Sequence, residues 1–402
     1  MYTNRDKQLK NNFGRMFWMQ ALQSICASNL IITLFYLHRG LTLAQIFYLS
    51  IIWAITNLLF EVPSSYLADY WGRKKTLIFG IFLGGLGDLL LIFSHSFWIF
   101  ALSMFFISLC FAMFSGTDEA LIYDTAKELD NEDKTLGYLG SYFSARTFFK
   151  IVMPLLAALL AKDLFDWQFV SLIAIDLFAG LLSLWFAWRL IEPKHYFKVE
   201  EQEGHILKDA IKLIKTDLVL VKALLTRTVF FIAMFVLWRF HQSYLLGIGI
   251  TLLQIGIMWS VAHLANFLAN KYIMKKIAHN KVMSRINNIN FIVVLVILLE
   301  VLFIYFGFNK WCILSGLGLV FFFESSRWPL YSQLYNQRSH SFNRATTLSL
   351  ANFLKSVLDI PLLFVGSILV GVSTFYPFVF SFVLVFLFYV GARFSKKDVS
   401  VV

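Results

Sequence analysis

Twelve apolar runs, each long enough to cross a bilayer as a helix, fix most of what this chain can become. They fall at about 13–38, 42–67, 75–95, 97–124, 137–161, 167–190, 223–247, 250–274, 285–307, 311–336, 345–369 and 375–394. About 20 apolar residues span the hydrocarbon core as a helix, and no water is available there to satisfy an irregular backbone. The expected fold is therefore an all-α membrane protein with 12 transmembrane helices. Composition agrees, with 59% hydrophobic and 15% charged residues, against roughly 45–50% and about 25% in soluble domains. The lipid bilayer is thus a partner. The excess of 35 Lys+Arg over 24 Asp+Glu reads as cationic cytoplasmic loops, so no nucleic-acid partner is expected.

Placing the N-terminus inside puts 27 of the 35 cations in the inner loops and adjoining helix ends. Only Arg39, Lys162 and Lys310 then fall outside, and five lie within apolar runs. Both termini are predicted to be cytoplasmic. Met1 to Lys10 is polar and basic without a cleavage-site pattern, so the first run is expected to remain as a helix.

Two halves are indicated by an internal repeat. Gly40-Leu-Thr-Leu-Ala-Gln-Ile46 returns as Gly249-Ile-Thr-Leu-Leu-Gln-Ile255, and Pro154 in the fifth run has a counterpart in Pro361 of the eleventh. The expected organisation is a six-helix bundle over 1–190, a cytoplasmic linker over 191–222 and a second bundle over 223–402. Within the linker, Ile206, Ala210, Ile211 and Ile214 alternate with Lys208, Lys212 and Lys215 at helical spacing, which reads as an amphipathic surface helix.

Between the second and third runs lies Ser64-Ser-Tyr-Leu-Ala-Asp-Tyr-Trp-Gly-Arg-Lys-Lys75, a charged hinge carrying Asp69, Gly72 and Arg73. It resembles the Gly-x-x-x-Asp-Arg-x-Gly-Arg-Arg/Lys signature of the major facilitator superfamily, with Ser65 and Tyr70 departing from the pattern. Gly116-Thr-Asp-Glu-Ala-Leu-Ile-Tyr-Asp124 and Arg344-Ala-Thr-Thr-Leu-Ser-Leu350 are similar to segments of a bacterial branch described only as permeases or exporters.

The resemblance implies two six-helix bundles about a pseudo-two-fold axis along the membrane normal, and secondary transport across the bacterial inner membrane by alternating access. It also implies a conformational latch made of Asp69, Gly72, Arg73 and Asp124. Asp69 would dock at the start of helix eleven near Arg344, while Arg73 pairs with Asp124. The corresponding loop of the second half, Lys275 to Lys281, has cations and no acid. In the antiporter pattern of helix five, only Pro154 is kept, which tells against an antiporter.

Ionisable residues inside the runs are costly there and point to a cavity or an ion path. Asp118 and Glu119 of helix four and Glu324 of helix ten are the candidates for a coupling proton. Arg146, Lys150, Trp238, Arg239, His241, Arg327, Lys355 and Asp359 are candidate cavity residues. The spacings 324/327 and 355/359 also allow ion pairs within one helix, so structural clamping is the competing account. Asp88, Asp176 and Glu300 lie nearer helix ends and read as solvated. Cys26, Cys110 and Cys312 have no disulfide or metal spacing, and the chain carries no phosphate-binding loop and no nucleophile elbow.

The chain is accordingly expected to be no enzyme and to need no cofactor, the proton gradient being its driving force. Its partner would be a small organic substrate, anionic or zwitterionic, such as a carboxylate metabolite or siderophore, handled by a monomer. Multidrug efflux of lipophilic cations is the alternative within the class. A lipid flippase or a non-transporting receptor or scaffold are the alternatives outside it.

Overall fold

The computed structural model describes residues 4–131, 134–194, 217–272, 282–338, 344–395 and 398, with backbone alone at 62, 136, 336–338, 344–354 and 356. The amphipathic segment expected at 206–214 and the loop cations at 275–281 lie outside the described residues. Regular structure among those described is entirely helical. The chain divides into two compact units, Met1–Lys198 and Val199–Val402.

The first unit holds α1 (Asn4–Gln23), α2 (Ile32–His38), α3 (Leu43–Trp71), α4 (Arg73–Ile92), α5 (Phe97–Phe114), α6 (Thr117–Glu128), α7 (Thr135–Leu160) and α8 (Asp166–Trp188). The second holds α9 (Leu218–Gly247), α10 (Leu252–Tyr272), α11 (Val282–Tyr305), α12 (Lys310–Arg338), α13 (Arg344–Val372) and α14 (Tyr376–Gly391). These make twelve crossings, because α1 with α2 and α5 with α6 each form one interrupted span. Large apolar side chains such as Trp98, Phe178 and Val372 lie on the outer surface. In water such a surface would aggregate; against acyl chains it is the solvated one.

The two interruptions depart from the unbroken runs expected. Crossing one bends by 48° between α1 and α2, through a 3-10 turn at Ala27–Leu30. Polar Gln20, Ser24 and Ser28 occupy this stretch, and the Ser24 hydroxyl donates back to the Gln20 carbonyl at 2.7 Å. Crossing four breaks at Gly116, whose φ of +75° only glycine adopts readily. The Ser64 hydroxyl of α3 donates 2.8 Å to the Ala112 carbonyl just before that break, so a backbone acceptor there stays satisfied.

The internal repeat is a structural device. Gly40 and Gly249 both have positive φ, ending crossings one and seven in matching turns: Leu41 N donates to Tyr36 O, and Ile250 N to Leu245 O. This is the Schellman closure. Two residues on, Thr42 and Gln45 exchange reciprocal bonds at 3.2 and 2.8 Å, and Thr251 and Gln254 do the same at 3.4 and 2.9 Å. Each half therefore stops one crossing and starts the next with a single seven-residue cassette.

Within the first unit, glycines let α4 approach α5. A Cβ at Gly87 would stand 2.6 Å from Ile107 Cγ1 and 3.0 Å from the Ser103 carbonyl, and one at Gly80 2.9 Å from Met113 Cβ. The Ser103 hydroxyl reaches the Gly87 carbonyl at 2.8 Å across this contact. Small residues at such an interface allow the backbone approach on which helix association in lipid depends. Gly87→Val is expected to cost about 1–3 kcal/mol through overpacking, read as a lower unfolding temperature in detergent.

Each unit has its own core. In the first, Met16, Leu77, Leu121, Tyr142 and Leu190 join α1, α4, α6, α7 and the segment after α8. In the second, Leu220, Ile286, Tyr331, Tyr335 and Phe394 join α9, α11, α12 and the segment after α14. An asparagine pins the exit of the last crossing in both. Asn12 clasps the Ile191 backbone at 2.8 and 3.0 Å, and Asn287 clasps Phe394 at 2.8 and 3.1 Å.

Beyond Phe394, Lys222 pairs with Asp398 at 2.9 Å. Burial opposes ionisation of Asp398, but the Ser395 N–H and the Lys222 ammonium outweigh it and hold the carboxyl below its ordinary range. A depressed carboxyl stabilises the fold above its unfolded value, near pH 4, and this contribution is lost as pH falls through the folded value. Lys222→Ala is expected to loosen Ser395 and Asp398 at neutral pH and to change little below pH 3, by hydrogen exchange.

Candidate functional site

In the first unit the break in crossing four sets Asp118 in the opening turn of α6, where the helix dipole favours an anion. Asp118 is only 5% exposed. Its Oδ1 accepts the Glu119 N–H at 2.8 Å, and its Oδ2 accepts the Tyr142 hydroxyl of α7. Arg146, one turn along α7, stands 3.9 Å from the same oxygen, with its guanidinium over the rings of Tyr142 and Phe143. Glu119 is exposed beside them.

The Arg146 side chain is 41% exposed, and Lys150, four residues on, is exposed as well. At 1.5 Å per residue, Arg146 and Lys150 lie about 17 and 23 Å along α7, near the middle of a crossing. Exposed cations at that depth are unfavourable toward lipid.

The break in crossing one belongs to the same region. Asp176 of α8 accepts the Ala27 and Ser28 N–H groups at 2.6 and 2.9 Å, one on each oxygen. It therefore replaces the helical acceptors that the bend removes. The solvated helix end that sequence suggests for Asp176 is thus corrected to a clamp on an interrupted crossing. Glu300 is corrected likewise: it is fully buried, with its carboxylate against Gly316 of α12. Cys26, at the break, is exposed and within electrostatic range of Asp176, Lys150, Asp88 and Arg146.

In the second unit, Lys355 and Asp359 pair along α13 at 2.6 Å, with the Lys355 ammonium 4.6 Å from the Phe231 ring centre. The spacing also allowed a pair between Glu324 and Arg327, but none closes. Arg327 is 2% exposed and donates to the Tyr331 hydroxyl at 3.2 Å and the Thr226 carbonyl at 3.4 Å, stacking on Phe230. Aromatic contact and backbone acceptors hold the guanidinium away from the carboxylate. Glu324 faces Arg327 and Arg227 electrostatically, and Arg227 lies 3.6 Å over the exposed Trp328 ring.

Trp238 is half-buried beside Arg239, whose guanidinium is buried over Trp238 and Phe235. His241 is fully buried. It accepts the Trp259 indole N–H on Nε2 at 3.1 Å and donates from Nδ1 to the Trp238 carbonyl at 2.8 Å. Those partners assign a neutral tautomer and make it a knot between α9 and α10. Among the described residues, no three His, Cys, Asp or Glu are grouped to hold a metal ion.

The sequence profile of the Major Facilitator Superfamily matches residues 16–360. The chain belongs to this superfamily. A D-xylose–proton symporter shares the fold at a TM-score of 0.75, with 12% identity and 98% of each chain covered. A point mutant of the nucleoside transporter NupG superposes at 0.68, with 14% identity over 94% of this chain and 99% of that one. An uncharacterized transporter of Buchnera aphidicola subsp. Schizaphis graminum is 25% identical over 163 residues, 40% of this chain and 39% of the relative. The match thus spans about two fifths of that relative's length.

For this superfamily member the charged hinge resolves into specific bonds. Gly72 alone separates α3 from α4, with φ +96°. A Cβ there would also meet the Glu192 carboxylate at 3.1 Å. Glu192, not singled out by sequence, accepts the Arg73 and Lys74 N–H groups at 2.8 Å each and so caps α4. Arg73 makes the expected ion pair with Asp124 and also donates to the Ala120 carbonyl. Both partners belong to the first unit. Asp69 is exposed at the end of α3.

Proposed function

We propose that this chain is a proton-coupled secondary transporter. It moves a small organic anion or zwitterion, such as a carboxylate metabolite or siderophore, across the bacterial inner membrane by alternating access. It works as a monomer with both termini cytoplasmic. The observation that carries this reading is the exposed pair Arg146 and Lys150 on one face of α7. Cations at that depth are unfavourable toward lipid and favourable toward a watery recess that takes an anion. Asp118, held between Tyr142 and Arg146, is the leading proton acceptor, with Glu119 and Glu324 behind it.

Lys355 and the Arg227–Trp328 shelf supply charge and aromatic surface in the second unit. That surface suits an amphipathic organic ligand. Membership in a transporter superfamily and the fold shared with a proton symporter support the coupling. Efflux of lipophilic cations is the second reading, favoured by the exposed Glu119 in the first turn of α6.

Purified protein in liposomes, offered radiolabelled organic anions, zwitterions and lipophilic cations, tests the choice. Flux of anions or zwitterions without ATP is expected. Flux of cations alone would favour the second reading. Asp69→Asn is expected to insert normally and slow that flux severely, whereas a scaffold would have no flux to lose.

A further inference from the structure

Glu300 is a buried ionisable side chain that the transport reading does not use. It sits in α11 at 0% exposure, and neither carboxyl oxygen has a hydrogen-bond partner among the described residues. The Leu317 N–H acts on it electrostatically without reaching hydrogen-bond geometry. The carboxyl is seated in a notch at Gly316 of α12, where an added Cβ would stand 2.6 Å from its carbon and overlap Oε1. Ile297 of α11 and Ile313, Leu317 and Val320 of α12 are buried along the same two helices.

No described cation balances a carboxylate at this place. Lys310, at the start of α12, donates to the Gly249 carbonyl at 2.7 Å, and Glu324 and Arg327 stand at least eight residues beyond Gly316. On α11 the other charged residue is Arg285, near the opposite end. From α9, Tyr244 lies within electrostatic range. The remaining neighbour of α11, α14, carries no charged residue. A carboxylate with neither donors nor a counter-charge is among the costliest groups to bury, and such a group gives up its charge. Glu300 is five residues from the end of α11 and Gly316 six from the start of α12, about 8 and 9 Å along their axes. Water at the turn between these helices is thus less than two helical turns away.

We propose that Glu300 is a proton-binding residue of the second unit, seated in the Gly316 notch with its proton and driven out of it when the proton leaves toward the 305–310 turn. The notch then works as a proton-dependent joint between crossings nine and ten. In the orientation proposed above, that turn is on the outer side. The site rests on the transport reading only for what its proton drives.

The test uses the full-length purified protein. Infrared spectra at neutral pH should show the C=O stretch of a protonated carboxyl. Glu300→Gln keeps the shape of the neutral acid and should remove that band, whereas Asp118→Asn should leave it. Gly316→Ala should remove the same band although Glu300 is still present, because the added methyl group takes its seat. If that variant does not fold, adding Glu300→Ala should restore folding. Chemical unfolding over a range of pH gives the second readout. A proton held by the folded state and released on unfolding raises the unfolding constant about tenfold per pH unit above about pH 5, until the folded protein also loses it. Glu300→Gln should be less steep than the unaltered protein by that factor.

A spectrum that Glu300→Gln leaves unchanged at neutral pH would overturn the proposal. So would equal pH slopes in the two proteins, or a band that survives Gly316→Ala. Neither readout needs a substrate, so absence of flux in liposomes would remove the transport reading and leave this site.

Discussion

Asp118→Asn is expected to lower proton-driven uptake by about 10- to 100-fold while the protein still folds and inserts. The side chain is buried in the first turn of α6, with one oxygen on the Glu119 N–H and the other facing Tyr142 and Arg146. Asparagine keeps the volume and one acceptor. It loses the charge that meets Arg146 and the carboxyl that would carry a proton. A hydrogen bond to a charged group contributes about 1.5–3 kcal/mol, which at 1.4 kcal/mol per decade gives the range stated. Tyr142→Phe keeps the carboxyl and should cost less, so comparing the two variants separates proton carriage from positioning. Undiminished gradient-driven uptake in Asp118→Asn would move the role to Glu119 or Glu324.

Arg73→Ala is expected to produce the largest loss of stability, about 3–5 kcal/mol, the cost of removing one partner from a buried pair. The side chains of Arg73 and Asp124 are 13% and 10% exposed, so solvent screens them little. Lysine should rescue part of the loss, because a single guanidinium nitrogen, Nη1, serves both the Asp124 carboxylate and the Ala120 carbonyl and an ammonium can donate to two acceptors. Thermal unfolding of Arg73→Ala, Asp124→Ala and the double variant checks the coupling. A double variant no less stable than either single one is expected; simple additivity would mean the two side chains act independently.

The crossings were legible because lipid permits few alternatives. Any chain with these runs must bond its backbone internally, and the Gly-x-Thr-x-x-Gln cassette marked the same junction in both halves. The Arg73–Asp124 pair was legible through a family resemblance, and the Lys355–Asp359 pair through helical spacing. What escaped the sequence depends on contacts between distant segments. Glu192 gives no local sign that it caps α4, since it follows Arg73 by more than a hundred residues. Asp176 read as a solvated end because the break that it caps is visible only once Ala27 and Ser28 lie against α8. Tyr142 carries no sign in the sequence that its hydroxyl meets Asp118. Arg327 had the right spacing for Glu324, but stacking on Phe230 and the Thr226 carbonyl won. The residues 206–214 and 275–281 fall outside the described structure, and their roles stay as the sequence suggests.

Proton movement itself tests the account most directly. Liposomes holding the purified protein and an internal pH-sensitive dye are given a pH gradient, then a panel of organic anions, zwitterions and cations. Acidification of the lumen that begins on adding an anion or zwitterion, and is lost in Asp118→Asn, is the predicted result. Substrate flux that leaves the dye unchanged, in the unaltered protein and at every gradient tried, would contradict it.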